Sequence, residues 1–206
     1  KGATQADVSV RERLAAGLAV TSRSNAELVE TAGTTLTPVE AAWLHGWQVF
    51  DVETHWENDS VRFYAALSDD DTVFVLSGEP DSFNQMVHGA QVVVDDESVA
   101  IDVATVYLDV TRGFEKYSYR IGSVSDIHWL PVPDPAEEQQ RAALEAQYAA
   151  LVLPPVAEPS GSGWSVTVWM VYDRSLVRHR LEVAADGAVQ DTPEVVETDL
   201  PVPYSV

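Results

Sequence analysis

Hydrophobic and polar positions change period several times along this chain. Val10, Leu14 and Leu18 recur at four-residue steps behind Ser9-Val-Arg-Glu12, a hydroxyl followed three residues on by a carboxylate. That is capping-box spacing, in which side chains and backbone satisfy each other's free donors at a helix start. It predicts a helix from Ser9 to about Val20, after a loose tail over residues 1–8. Ser24-Asn25 predicts a second short helix to Thr31. Thr37-Pro-Val-Glu40 repeats the box with Pro38 at the first helical position, where a missing N–H costs nothing. A third helix is therefore expected to carry Trp43 and to end near His45-Gly46.

The period then falls to two. Gln48–Trp56 is rich in residues that favour strands, and Val61, Phe63, Ala65 and Leu67 alternate with polar neighbours. Thr72–Leu76 completes a predicted three-stranded meander, with turns at Glu57-Asn-Asp59 and Asp69-Asp-Asp71. Gly78–Asp81 breaks the pattern, and Val92–Val94 reads as a short strand. Asp95 and Asp96 lead into an amphipathic helix with Val99, Val103, Val106 and Val110 on one stripe, stopped by Gly113. Tyr117–Ile121 and Val124–Leu130 read as a hairpin around Gly122-Ser123. Asp134, Pro135 and Glu137 then start a helix running to about Val152, with Leu144, Tyr148 and Leu151 turned inward. Residues 154–163 are composed like a linker. Trp164–Tyr172, Val177–Val183 and Ala188–Val195 form a second meander, and the tail from Leu200 is expected to be extended because Pro201 and Pro203 exclude helix.

The two meanders resemble each other. With one residue of slack, Trp47 aligns with Trp164, Val49 with Val166, Val61 with Val177, Arg62 with Arg178, Leu67 with Val183 and Val73 with Val189. The expected class is α+β, with two similar antiparallel meanders each packed against helices. The expected division is into residues 1–94 and 95–206, which can share one core. In outline, a helix on a curled meander resembles the cystatin-like and NTF2-like folds. No signature motif of either family is present, so no residue roles carry over.

Charge narrows the function classes. The formal net charge is −21, from 33 acidic against 12 basic residues. Such a field repels phosphate backbones and anionic lipid, and it steers basic partners inward. Lys1 and Lys116 are the only lysines, a bias that goes with a GC-rich genome. Without cysteine, disulfides and thiolate chemistry are excluded. No run reaches the ~18 apolar residues of a membrane span, and no signal peptide is visible. The expected location is the cytoplasm, or outside it if a signal or anchor upstream of Lys1 has been removed.

Candidate chemistry is sparse. His45, His55, His88, His128 and His179 show no metal-binding helical spacing, so no metal or cofactor is expected. The acidic runs 69–71 and 95–97 lack the ligand order of a calcium loop and read as a turn and a helix start. There is no nucleophile elbow and no glycine-rich phosphate loop. His179 shares a strand face with Val177, Leu181 and Val183, which favours packing over ligation. Arg174, Arg178 and Arg180 make the densest basic group. They can hold an anion, or more simply pair with carboxylates across strands. His55, Trp56 and Trp169 are the remaining candidates for a pocket or partner surface.

The leading functional expectation is a non-enzymatic acidic module that binds a protein with a basic surface, an inhibitor or immunity-type protein being one version. The alternatives are a small-molecule or enzymatic pocket between sheet and helix, and a component of a larger assembly docked by the tail from Leu200.

Overall fold

In the computed structural model, which describes residues 5–56, 59–131 and 134–203, alternation and capping place most elements where the sequence puts them. Two helices open the chain, α1 (Gln5–Thr21) and α2 (Arg23–Glu30). Strands β1 (Thr35–Pro38), β2 (Trp47–Trp56), β3 (Asp59–Ser68) and β4 (Val73–Val75) follow, then helices α3 (Pro80–Gly89) and α4 (Glu97–Thr111). The remaining elements are β5 (Ser118–Ile121), α5 (Pro135–Tyr148), β6 (Val156–Ser160), β7 (Gly163–Tyr172), β8 (Ser175–Val183) and β9 (Val189–Glu197). The class is α+β, with two antiparallel sheets ordered β1-β2-β3-β4 and β5-β7-β8-β9, β6 also pairing with β7. Two compact units result. One holds residues 1–93, 106–113 and 186–188, and the other holds 94–105, 114–185 and 189–206.

In the first unit, strand alternation sends Phe50 and Val52 of β2, and Phe63, Ala65 and Leu67 of β3, to one face. Leu14 and Leu18 of α1 and Ala26 and Val29 of α2 close over them in one buried cluster. The opposite face carries Val49 and Ala66, also buried. There Trp47 stacks on Phe74, with ring centroids 5.4 Å apart. In the second unit Leu144 and Tyr148 of α5 pack on Trp169, Val171 and Leu176, joined by Leu200 and Val202 from the tail.

The repeat is real in the second and third strands and slips in the first. Trp56 lies opposite Asp59 and Tyr172 opposite Ser175, so the two hairpins can be matched from their turns. On that frame Val61 meets Val177 and Arg62 meets Arg178, and the pairs Leu67–Val73 and Val183–Val189 correspond. Phe50, however, meets Val166, and Trp47 meets Gly163 rather than Trp164. A one-residue slip turns every side chain to the other face, so the two tryptophans are not equivalent. The cause is local: a Cβ at position 163 would overlap the carbonyl oxygen of Val183. Only glycine fits there, and the tryptophan falls on the next residue.

Other expectations are corrected. Residues 37–45 are not helical. Leu36 and Thr37 pair with Val52 and Asp51 as an edge strand, and Val39 N–H bonds Val49 O at 2.9 Å. Sheet pairing overrides the local cap signal, and an edge position tolerates Pro38. Helix α1 starts before Ser9, so that residue lies inside the helix rather than capping it. Helix α3 was not expected, although Phe83, Met86 and Val87 have helical spacing and are fully buried. Val92–Val94 is not a strand. The hairpin expected around Gly122 does not form. The Asp126 carboxylate accepts from the N–H groups of Gly122 and Ser123 and curls Val124–Asp126 into a 3-10 turn, while β5 pairs with β7 instead. The presumed linker contains β6, which turns back through Gly161 at φ +56. Helix α5 ends at Tyr148 and leaves Leu151 exposed. Of the predicted loose tail, residues 5–8 are helical; residues 1–4 of it, 57 and 58 of the first predicted turn, 132 and 133 of the Pro-rich connector, and 204–206 of the C-terminal tail lie outside the described residues.

Candidate functional site

The residues singled out from the sequence divide between the units. His55 and Trp56 end β2 and are exposed, with His55 Nε2 3.4 Å from a Glu53 carboxylate oxygen. Trp169 is buried in the second core, and the Arg178 guanidinium sits 5.9 Å from its ring centroid. Arg178 also donates to Glu194 across β8 and β9. Arg174 donates from Nε to the Leu200 carbonyl at 3.1 Å and faces Asp199. Arg180 is exposed beside Thr192. The fold thus brings Trp169 and Arg178 together, fixes Arg174 to the tail and leaves Arg180 in solvent. His179 Nδ1 lies 2.8 Å from Asp191 Oδ2, a polar pair on an otherwise apolar strand face. The tail residues Leu200 and Val202 bury in their own unit's core.

The chain's cations are largely engaged by its own carboxylates. Arg13 pairs with Asp71, Arg23 with Glu27, Arg62 with Asp51, Lys116 with Asp173, Arg141 with Glu145 and Arg178 with Glu194. The Arg62 pair is bidentate, at 2.9 and 2.6 Å. The Asp51 carboxylate raises the already high pKa of that guanidinium. The 33 acidic residues outnumber the 12 basic ones, so carboxylates remain in excess of cations.

Two of these carboxylates line a cleft. Within the first unit, a depression of about 710 Å³ is walled by Trp47 and Phe74 and rimmed by His45, Asp69, Asp70, Gln85, His88 and Gln91. A neighbouring cleft of about 370 Å³ shares Gly46, Trp47 and Asp69. The geometry follows from the hairpin. Trp47 opens β2 opposite Ser68, so the first residue of β2 and the turn after β3 share one edge. Phe74 pairs with Ala66 on the other side of β3 and its ring reaches Trp47, the two planes only 5° apart. Gly89 closes α3 against the indole, near enough that a Cβ there would touch the ring at van der Waals distance. Gly46 holds φ +69, a conformation that glycine adopts without strain.

The turn at residues 68–72 distinguishes three adjacent aspartates. Asp70 accepts from the Ser68 hydroxyl, and that bond, with others from Thr72, holds its carboxyl below the usual range. Asp71 pairs with Arg13, whose guanidinium also donates to the carbonyls of Ser68 (2.8 Å) and Asp69 (3.2 Å). Asp69 uses its backbone N–H on Gly46 O at 2.9 Å, and its carboxylate faces the cleft. Chemically the cleft offers two aromatic side chains, the carboxylates of Asp69 and Asp70, and histidine and glutamine side chains, with no Lys or Arg on its lining. That combination suits a cation with a planar face.

Sequence reasoning gave Asp69 a turn role and aligned Trp47 with Trp164, and joined neither to a site. The far wall needed α3, which the sequence reading missed.

No protein-family model, curated protein or solved structure matches this chain. The resemblance in outline expected to cystatin-like and NTF2-like folds is thus matched by no solved structure, and no activity is carried over from either. Among the described residues there is no cluster of three His, Asp or Glu that could hold a metal, and no helix is long and apolar enough to cross a membrane.

Proposed function

We propose that this chain is a non-enzymatic binding module for a protein with a basic surface. The observation that carries the reading is charge allocation: most of the few cations are held in pairs with the chain's own carboxylates, and acidic residues outnumber basic ones to a net charge of −21. Such a surface accelerates encounter with a basic partner, an effect that weakens as salt shortens the screening length. The same field disfavours nucleic acid.

The test is affinity capture from the native cells at low and high salt, followed by stopped-flow association with the purified captured protein. The expected result is a stoichiometric basic partner whose association rate falls roughly tenfold or more between low and high salt. An association rate indifferent to salt would remove the electrostatic reading.

A further inference from the structure

We infer that the cleft beside Asp69 is the seat of a single arginine side chain presented by the partner. The inference rests on the basic-partner reading and names where, and through which side chain, that partner is gripped.

Three observations converge. First, Asp69 and Asp70 both line the cleft: Asp70 accepts from the Ser68 hydroxyl within the turn, Asp69 holds its Oδ2 beside Gly46 on the same lining, and Asp71 is paired with Arg13. Second, Arg13 fixes the carbonyls of Ser68 and Asp69, so the carboxylate is carried by a braced turn rather than a loose loop. Third, the Trp47–Phe74 pair lies within the same cleft as a half-buried aromatic wall with nearly parallel rings. A guanidinium is planar, weakly hydrated and rich in donors. It can stack on an aromatic face while bonding a carboxylate edge-on, whereas an ammonium must choose. Gln85 and Gln91 add amide oxygens for its remaining N–H groups. The cleft volume of about 710 Å³ accepts one long side chain with its flanking backbone.

The experiment is an NMR titration of the full ¹⁵N-labelled chain with acetyl-Gly-Arg-Gly-amide and, separately, its lysine counterpart, at low salt. The arginine peptide should give saturable shifts at Gly46, Asp69, Gly89 and the Trp47 indole N–H. Lysine should bind severalfold more weakly. Asp69→Asn should weaken the arginine peptide roughly tenfold, and its spectrum elsewhere will show that the fold persists. Glu27→Gln removes the same charge from exposed α2 and should change little. Equal binding of the two peptides overturns the arginine assignment. Shifts scattered over the acidic surface, with Asp69→Asn and Glu27→Gln equal in effect, overturn the site but leave the basic-partner reading standing. The same holds if the peptide does not bind while a captured basic protein does. If neither binds, both proposals fall.

Discussion

At one place in two matched hairpins, the first unit puts a phenyl ring and the second an imidazole. Phe63 packs into the cluster formed by α1, α2 and β2. His179, at the corresponding position of β8, keeps 13% side-chain exposure and bonds Asp191, itself 17% exposed. The neighbouring strand explains the difference. Strand β4 has three residues and pairs only with Ala65–Leu67, so it stops short of Phe63, which has β2 on its other side and is covered by α1 and α2. Strand β9 has nine residues and runs the length of β8, so it can place a carboxylate beside the imidazole. The same strand supplies Glu194 to Arg178 and Glu197 to Tyr148. One unit is thus closed by apolar helices, the other partly by polar ties to an acidic edge strand. Apolar closure is insensitive to pH, whereas polar ties are not.

The largest effect expected from this contrast is in the apolar unit. Phe63→Ala removes a buried ring from a packed cluster and should cost about 3–5 kcal/mol. Hydrogen exchange under rising urea should show amides of β2 and β3 losing protection first. Next comes the polar pair. Asp191→Val strands the imidazole and should cost about 1–3 kcal/mol. Adding His179→Phe should recover most of it, since an apolar pair of similar volume replaces a half-satisfied polar one. Asp191 Oδ1 is itself buried without a hydrogen-bond partner. A double variant no more stable than Asp191→Val would show that the two hairpins are not interchangeable at this position.

Smaller again is the Tyr148–Glu197 tie, at 2.7 Å. The hydrogen bond to Glu197, then burial, raises the Tyr148 pKa above its ordinary value of 10.0. The folded phenol therefore holds its proton where the unfolded one has released it. Its stabilisation is fully present below pH 10.0 and is lost as pH rises through the folded value. Tyr148→Phe should flatten the alkaline limb of a stability-versus-pH curve, and an unchanged limb would break the polar half of the comparison. Burial raises Tyr119 in the same direction, so some alkaline dependence should remain. The smallest effect belongs to Asp70 in the first unit. Its carboxyl is held below 3.8, so its contribution is present above that pH and disappears as pH falls through the lower folded value. Asp70→Asn should soften the acid limb slightly, without the alkaline change.

Elements with their own punctuation were legible in the sequence. Asp134 and Pro135 start α5 as expected, Asp134 accepting from Ala136 N–H at 2.9 Å. Asp96 likewise bonds Val99 N–H ahead of α4. Elements defined by a distant partner were not. Thr37-Pro-Val-Glu40 carries every local sign of a helix, yet β2 claims it as an edge strand. The Pro-Ser-Gly stretch around residue 159 looks like a linker until β7 is there to pair with it. The site was hidden for the same reason. Asp69, Trp47 and Gln85 come from a turn, a strand start and an unforeseen helix, and only the closed meander brings them to one cleft.

Gly163 limits how modular the two halves are. A duplicated unit invites exchange of parts, and a chimera that carries β2 in place of β7 would be a natural construction. Matched at the hairpin turn, such a graft brings Trp47 to the one spot where the Val183 carbonyl leaves no room for any side chain. The reverse graft meets no such obstacle but delivers a glycine where an aromatic wall stands. The first graft is therefore blocked by one backbone oxygen, and the second removes a wall of the cleft.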